Sequence, residues 1–250
     1  MKIIWEITPD DVAKVNVFFE SQKNSCFVRE RTRRNLSDMK CDLSKADFWV
    51  AMVGCLLTTQ QRSGPDSPIS RFLDEKPFPL DYALCAGQAD LEKFVGTTLT
   101  KFGGIRRATT IGREVKKNYD YLERGGWGAI FDVTTTLRHS STIAQEREAA
   151  AFVDENLAGF GPKQSRNLLQ WLGLTKYETP IDSRITKWLN EFGFPFRLTA
   201  AALADPYYYQ FVEDGLQQLC AASSIYPCQM DAAIFASYDG DAWTDKNSMW

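Results

Sequence analysis

The stretch LAGFGPKQSRNLLQWLGLTKYETPIDSRITKWL, residues 157–189, decides how this chain is read. Gly159 and Gly161 flank Phe160 between two segments of helical spacing. A tight turn between helices needs positive φ and close backbone approach, and glycine supplies both. Pro162 suits the first turn of the following helix. The free N–H groups at that helix start form an anion site matched to a phosphate. The same residues also fit a purely structural helix corner, so the hairpin does not decide function by itself. Nineteen residues beyond Lys163 lies Asp182, in Thr179-Pro180-Ile181-Asp182, at the start of another helix. That interval holds a helix of about three turns and a return loop. An amine and a carboxylate then come to the two sides of one cleft. Taken singly, a lysine after a turn is a solvated surface group and an aspartate at a helix start is an N-cap.

Outward from this stretch, helical spacing dominates. Thr8-Pro9-Asp10-Asp11 reads as an N-cap with proline in the first turn, leading into a helix over Val12–Ser21. Asp47–Gln60 is apolar nearly all round, the pattern of a central buried helix. Further helices are predicted at Ala89–Phe102, Ile105–Glu123, Trp127–Leu137, Ile143–Asn156, Lys163–Leu172, Asp182–Phe192, Pro206–Ala222 and Pro227–Tyr238. Residues 62–79 hold four prolines and read as a loop with at most a short helix at Ile69–Leu73. A short strand is predicted only at Lys2–Ile7. The expected fold is all-α, a single unit over 1–250, with lobes of about 1–60 plus 180–250 and of 61–179 around a cleft.

Composition excludes several classes. Hydrophobic residues make up 44% of the 250 and charged residues 24%, which is globular rather than disordered or fibrous. The longest strongly apolar run, Phe48–Leu57, falls far short of the roughly 20 residues that cross a bilayer. No secretory leader is read in Met1–Glu6. A single histidine, His139, rules out chemistry that needs two imidazoles. Cys55 and Cys85 sit in apolar surroundings and Cys220 and Cys228 read as packing residues, so a reducing compartment is expected, cytoplasmic, nucleoid-associated or nuclear. A net charge of −3 argues against nucleic acid, but it is an average. Residues 21–40 and 101–124 each carry +4, while the last 46 residues carry −6. Local basic segments can meet a phosphate backbone that the total charge would repel, although each also reads as a solvated helix face.

The pairing of Gly159-Phe160-Gly161-Pro162-Lys163 with Pro180-Ile181-Asp182 resembles the helix–hairpin–helix (HhH-GPD) superfamily of base-excision DNA glycosylases. In its bifunctional branch, endonuclease III and the 8-oxoguanine DNA glycosylases, a lysine follows the hairpin where Lys163 stands, and the signature carboxylate falls on Asp182. Leu56-Leu57-Thr58-Thr59-Gln60-Gln61 is similar to the family's Leu-Leu-Ser-x-Gln segment, whose glutamine fills the gap left by an extruded base; Gln60 is the matching position. Phe102-Gly103-Gly104-Ile105-Arg106-Arg107-Ala108 resembles a Gly-x-x-x-Lys-Ala turn. Tyr226–Phe235 looks like the closing helix of the archaeal-type 8-oxoguanine enzymes. The resemblance covers about 45–240 and is sharpest over 157–189.

What the resemblance implies is chemically coherent. A base inside a duplex must be flipped out before it is reached. Lys163 would attack the sugar as nucleophile, and Asp182 would stabilise positive charge on it or assist proton transfer. Gln60, Gly159, Phe160, Gly161, Arg184, Arg106 and Arg107 would contact DNA, and Phe235 and Asp231 would border the base. The implied partner is double-stranded DNA with a damaged base, oxidised guanine first, bound by a monomer away from any membrane. No cofactor is implied, because two C-terminal cysteines cannot supply the four-cysteine iron–sulfur ligation of many relatives. No side chains announce a metal, which leaves only an ion held by hairpin carbonyls. Arg184 departs from the histidine common at that position. A monofunctional glycosylase for another lesion and a non-catalytic helix–hairpin–helix DNA-binding module remain as alternatives.

Overall fold

The computed structural model describes residues 4–37, 42–61, 63–138, 141–241 and 243–244. His139, Lys40, Cys41 and Lys246 lie outside them. Thirteen α-helices follow one another along the described residues: α1 Pro9–Gln22, α2 Cys26–Asn35, α3 Lys45–Leu57, α4 Pro68–Asp74, α5 Tyr82–Ala86, α6 Leu91–Phe102, α7 Ala108–Tyr121, α8 Trp127–Arg138, α9 Ile143–Asn156, α10 Pro162–Trp171, α11 Ser183–Phe192, α12 Pro206–Ala222 and α13 Pro227–Tyr238. Their starts are written locally. Thr8, Ser44 and Thr142 each close a capping box with the residue three further on. Pro9, Pro68, Pro162, Pro206 and Pro227 occupy first turns, where a missing N–H costs nothing.

The apolar side chains gather in two main clusters. The first joins α3 through α10, from Phe48 and Trp49 to Leu169 and Leu174. The second joins α1 to α11, α12 and α13 through Val15, Ile185, Leu216 and Ile234. Residues up to 60 were expected with the terminal segments. The packing instead places α3 in the first cluster, because nine of its thirteen residues are buried there. Gly54 makes this possible: a Cβ at that position would lie 2.5 Å from the Trp171 ring, so only glycine lets α3 pass under α10.

Three other expectations change. No strand forms among the described residues, and Ile4–Ile7 has no regular secondary structure; Trp5 instead packs 5.2 and 4.9 Å from the Phe194 and Phe211 rings. α3 stops at Leu57 rather than Gln60, because the Thr58 and Thr59 hydroxyls both donate to the Cys55 carbonyl at 3.0 Å and turn the chain. α7 begins at Ala108 rather than Ile105, since Gly103, Gly104 and Arg107 all hold positive φ. α2 and α5 were not anticipated. No described helix is long and apolar enough to cross a membrane.

Candidate active site

The hairpin of residues 157–161 is built as its glycines require. α9 ends at Asn156 with Leu157 as its C-cap, Gly159 takes φ +85°, and α10 opens at Pro162 with no side chain capping its first N–H groups. Asn118 of α7 pins the turn, accepting from Ala158 N at 2.6 Å and donating to Ala158 O at 3.0 Å. A Cβ on Gly159 would stand 2.6 Å from Leu56 Cδ2 and 2.7 Å from Glu114 Cδ. Strained φ and steric conflict act together there, so Gly159→Ala is expected to cost about 2 kcal/mol. In a chain of this size that lowers Tm by roughly 4–8 °C by differential scanning calorimetry. Phe160, expected to face DNA, turns its ring into the first cluster with only 8% exposed. Gly161 is extended, with open space around it.

Beside the hairpin lies a cleft of about 630 Å³, bordered by Lys163, Asp182, Asp231, Gln60, Arg184 and Phe235. Lys163 and Asp182, the pair that the resemblance singled out, therefore border one cavity. Lys163, in the first turn of α10, is half-buried and has no hydrogen bond or ion pair among the described residues. Asp182 caps α11. Its Oδ1 accepts from Arg184 N at 2.8 Å and Ile185 N at 3.1 Å, and its Oδ2 accepts from the Arg184 guanidinium at 3.1 Å. The N-cap and the cleft-facing readings thus hold for one carboxylate. Asp231 on α13 is largely buried and paired with Arg31 of α2 at 2.6 Å. Burial pushes its carboxyl up, while Arg31 and Lys163 pull it down and Asp182 pushes it up again.

An aromatic wall closes the far side. Phe235 meets Phe27 edge-on at 4.6 Å, Trp243 lies 5.2 Å from Phe27, and Arg184 covers the Phe235 ring at 4.2 Å. Arg184 also pairs with Asp239 at 3.3 Å, so its guanidinium is committed to three neighbours. At the cleft rim Gln60 is exposed at φ +58°, with no side-chain partner among the described residues.

The basic segments divide. Arg106 is exposed, as are Lys101, Arg113, Lys117 and Arg124. Arg107 instead bonds Glu114 at 3.3 Å beneath the hairpin, and Lys116 is paired with Asp120. In α2 Arg31 is taken by Asp231 and Arg33 by Glu30. Phe27, Arg31, Asn118 and Gln164 were all missed by the sequence reading. Their partners lie too far along the chain for any local pattern to show them. Cys55, Cys85 and Cys228 are buried free thiols, and burial pushes each up to about 12. No group of three or more metal-ligating His, Cys, Asp or Glu side chains occurs among the described residues.

The loop that presents Asp182 is fixed by buried carboxyl groups and their partners. Glu146 of α9 accepts the backbone N–H groups of Lys176, Tyr177 and Glu178. Glu213 of α12 accepts both the N–H and the hydroxyl of Thr179. Tyr209 donates to Thr179 O at 2.7 Å and accepts from Ile181 N at 2.6 Å. Arg166 of α10 binds Glu178 at 2.6 Å and covers the Tyr209 ring at 4.4 Å. One set of contacts therefore ties the Lys163 helix to the Asp182 loop.

The helical fold described above is shared with solved structures of 8-oxoguanine DNA glycosylases. The 8-oxoguanine DNA glycosylase of Thermotoga maritima superposes with a TM-score of 0.63 at 13% identity, covering 94% of this chain and 99% of that one. The Methanocaldococcus jannaschii 8-oxoguanine glycosylase/lyase, in complex with 15mer DNA containing 8-oxoguanine, gives a TM-score of 0.68 at 15% identity over 93% of this chain and 100% of its own. A second structure of the M. jannaschii 8-oxoguanine DNA glycosylase gives 0.66, again at 15% identity, over 94% and 98%. At these identities the likeness is one of fold. No protein-family model and no curated protein matches the sequence.

Proposed function

We propose that this protein is a base-excision DNA glycosylase with abasic-site lyase activity, and that oxidised guanine is its preferred base. The observation that carries the reading is the shared cleft: an amine without an ion-pair partner, Lys163, stands in one cavity with the Asp182 carboxylate and an aromatic wall. The fold shared with 8-oxoguanine enzymes supports it. A flipped nucleotide would place its base against the wall formed by Phe27 and Phe235, near the Arg31–Asp231 pair, with its sugar toward Lys163. The uncapped N–H groups of α10 and the exposed cations of residues 101–124 would meet backbone phosphates.

Chemistry then proceeds on the chain's own groups. The Lys163 amine attacks C1′ as the glycosidic bond breaks, and the base leaves with a proton. Asp182 stabilises the positive charge that develops on the sugar. The nitrogen gives up the proton that the base carries away, the C1′–O4′ bond opens with O4′ taking a proton from solvent, and a Schiff base forms. Removal of a 2′ proton then expels the 3′ phosphate, and water releases the lysine.

The test is a panel of duplexes that each carry one lesion, incubated with and without borohydride. Base release from 8-oxoguanine, strand cleavage and a trapped covalent adduct are the expected results. Base release without cleavage or trapping would select a monofunctional enzyme. Salt-dependent binding with no release from any lesion would select a binding module.

A further inference from the structure

Gln60 and Gln61 sit side by side and are treated differently by the fold. The Gln60 side chain is exposed and uncommitted, on a backbone held at φ +58°. A non-glycine residue keeps that conformation only where its surroundings enforce it. Gln61 supplies the enforcement. Its Nε2 donates to the Leu57 carbonyl, an otherwise open acceptor at the end of α3. Its Oε1 accepts from Arg106 N at 2.9 Å, across 45 residues of chain. One amide therefore bridges the end of the central helix to the glycine turn that opens α7.

A second bolt holds the same turn from the other side. Gln164, the residue after Lys163, is 7% exposed; its Nε2 donates to Cys55 O at 2.6 Å and to the Thr59 hydroxyl. Its Oε1 accepts from Asn167 at 3.2 Å. The Thr58–Gln61 turn is thus clamped between the hairpin helix and the residue 103–107 turn. Gln60 stands at the boundary of two cavities, the cleft with Lys163 and a neighbouring one of about 750 Å³ bordered by Arg106, Gly64 and Asp66.

We infer that Gln61 is a positioning residue for base extrusion: its two hydrogen bonds hold Gln60 as a rigid wedge between these cavities, in register with Lys163. The inference rests on the proposed glycosylase reading. Stiffness matters because a wedge that relaxes on meeting a duplex cannot hold the stack open. A side chain on a mobile turn would fill the gap without holding it open.

The test uses Gln61→Met, which keeps size and removes both bonds, and Gln61→Glu, which keeps the acceptor for Arg106 N. Each is compared on an 8-oxoguanine duplex and on a single-stranded oligonucleotide with a preformed abasic site. A 2-aminopurine beside the lesion reports unstacking on binding, whether or not chemistry follows. Gln61→Met is expected to lower single-turnover excision from the duplex about tenfold and to remove the fluorescence rise. Borohydride trapping on the single strand should stay within about twofold of wild type, and Gln61→Glu should recover part of the duplex rate. In a Gln60→Ala background the Gln61→Met effect should vanish, because the two act as one unit. Equal losses on both substrates would mean a structural role and overturn the inference, as would an undiminished fluorescence rise. If the wild type traps on no abasic substrate, the Lys163 reading fails separately, while the fluorescence still decides the Gln61 role.

Discussion

Lys163→Gln is expected to abolish the borohydride-trapped adduct and to slow base release by roughly 10²–10⁴-fold, the contribution of one well-placed catalytic group. Glutamine keeps the apolar stem and hydrogen-bonding capacity but offers no nucleophilic amine. Because Lys163 has no partner among the described residues, its loss leaves no buried charge uncompensated, and stability should change by no more than about 0.5 kcal/mol. Affinity for the damaged duplex should fall only by the worth of one cation, read as a slightly shallower salt dependence. Asp182→Asn is the informative companion. Asparagine caps a helix as well as aspartate does, so α11 should persist while the negative charge facing the sugar disappears. Base release should slow by about 10²-fold or more, with Tm nearly unchanged. Trapping that survives Lys163→Gln would remove the lysine from the mechanism. If Asp182→Asn alone were inactive, the carboxylate would be working on water, as in a monofunctional enzyme.

How much of this was legible beforehand follows from how far apart the partners are. The hairpin, the Pro162 helix start and the Asp182 cap are local devices within 33 residues, and each appears where turn and capping chemistry place it. The apolar circumference of residues 47–57 marks a central helix because no other surroundings would hide it. Long-range pairing is different. Arg31 counts as one more cation in a basic stripe until Asp231, 200 residues away, is found to neutralise it. Arg107 resembles its exposed neighbour Arg106, yet a left-handed backbone turns it under the hairpin onto Glu114. Phe160 sits between two DNA-suggestive glycines, and its hydrophobicity sends it inward. Charge segregation was visible in composition, but whether each charge faced solvent was a tertiary fact. Glu146, Glu178 and Glu213 carried no signal at all: they look like surface carboxylates and are fully buried.

That buried set makes Arg166→Met the most destabilising substitution expected. Glu178 and Glu213 have no exposed side-chain surface, and Arg166 is 8% exposed between them. Removing Arg166 takes away the nearer of the two cations that hold Glu178 in a dry site and leaves it only Arg147 at 3.3 Å, at a cost of about 3–5 kcal/mol. For a chain of this length Tm should fall by roughly 6–20 °C. The double variant Arg166→Met/Glu178→Gln should recover part of that loss, since the under-compensated charge goes with its partner; full additivity of the two substitutions would contradict the pairing. Glu213 responds in the opposite sense. Burial and the neighbouring Glu178 push its carboxyl well above the ordinary range, so the fold favours its neutral form. A raised folded-state value means that the folded protein holds the proton more tightly than the unfolded chain. The stabilisation is complete below about pH 4.5, and it declines as pH rises from there through the folded-state value. Glu213→Gln stays neutral and keeps an acceptor for Thr179, so urea midpoints at about pH 5 and pH 8 should lie closer together than in wild type. A variant that instead lost stability equally at both pH values would show that Glu213 is ionised in the fold. Because the Thr179 contacts lie three residues before Asp182, Arg166→Met should also slow base release at temperatures where the protein remains folded, linking this cluster to the placement of the carboxylate proposed to act on the sugar.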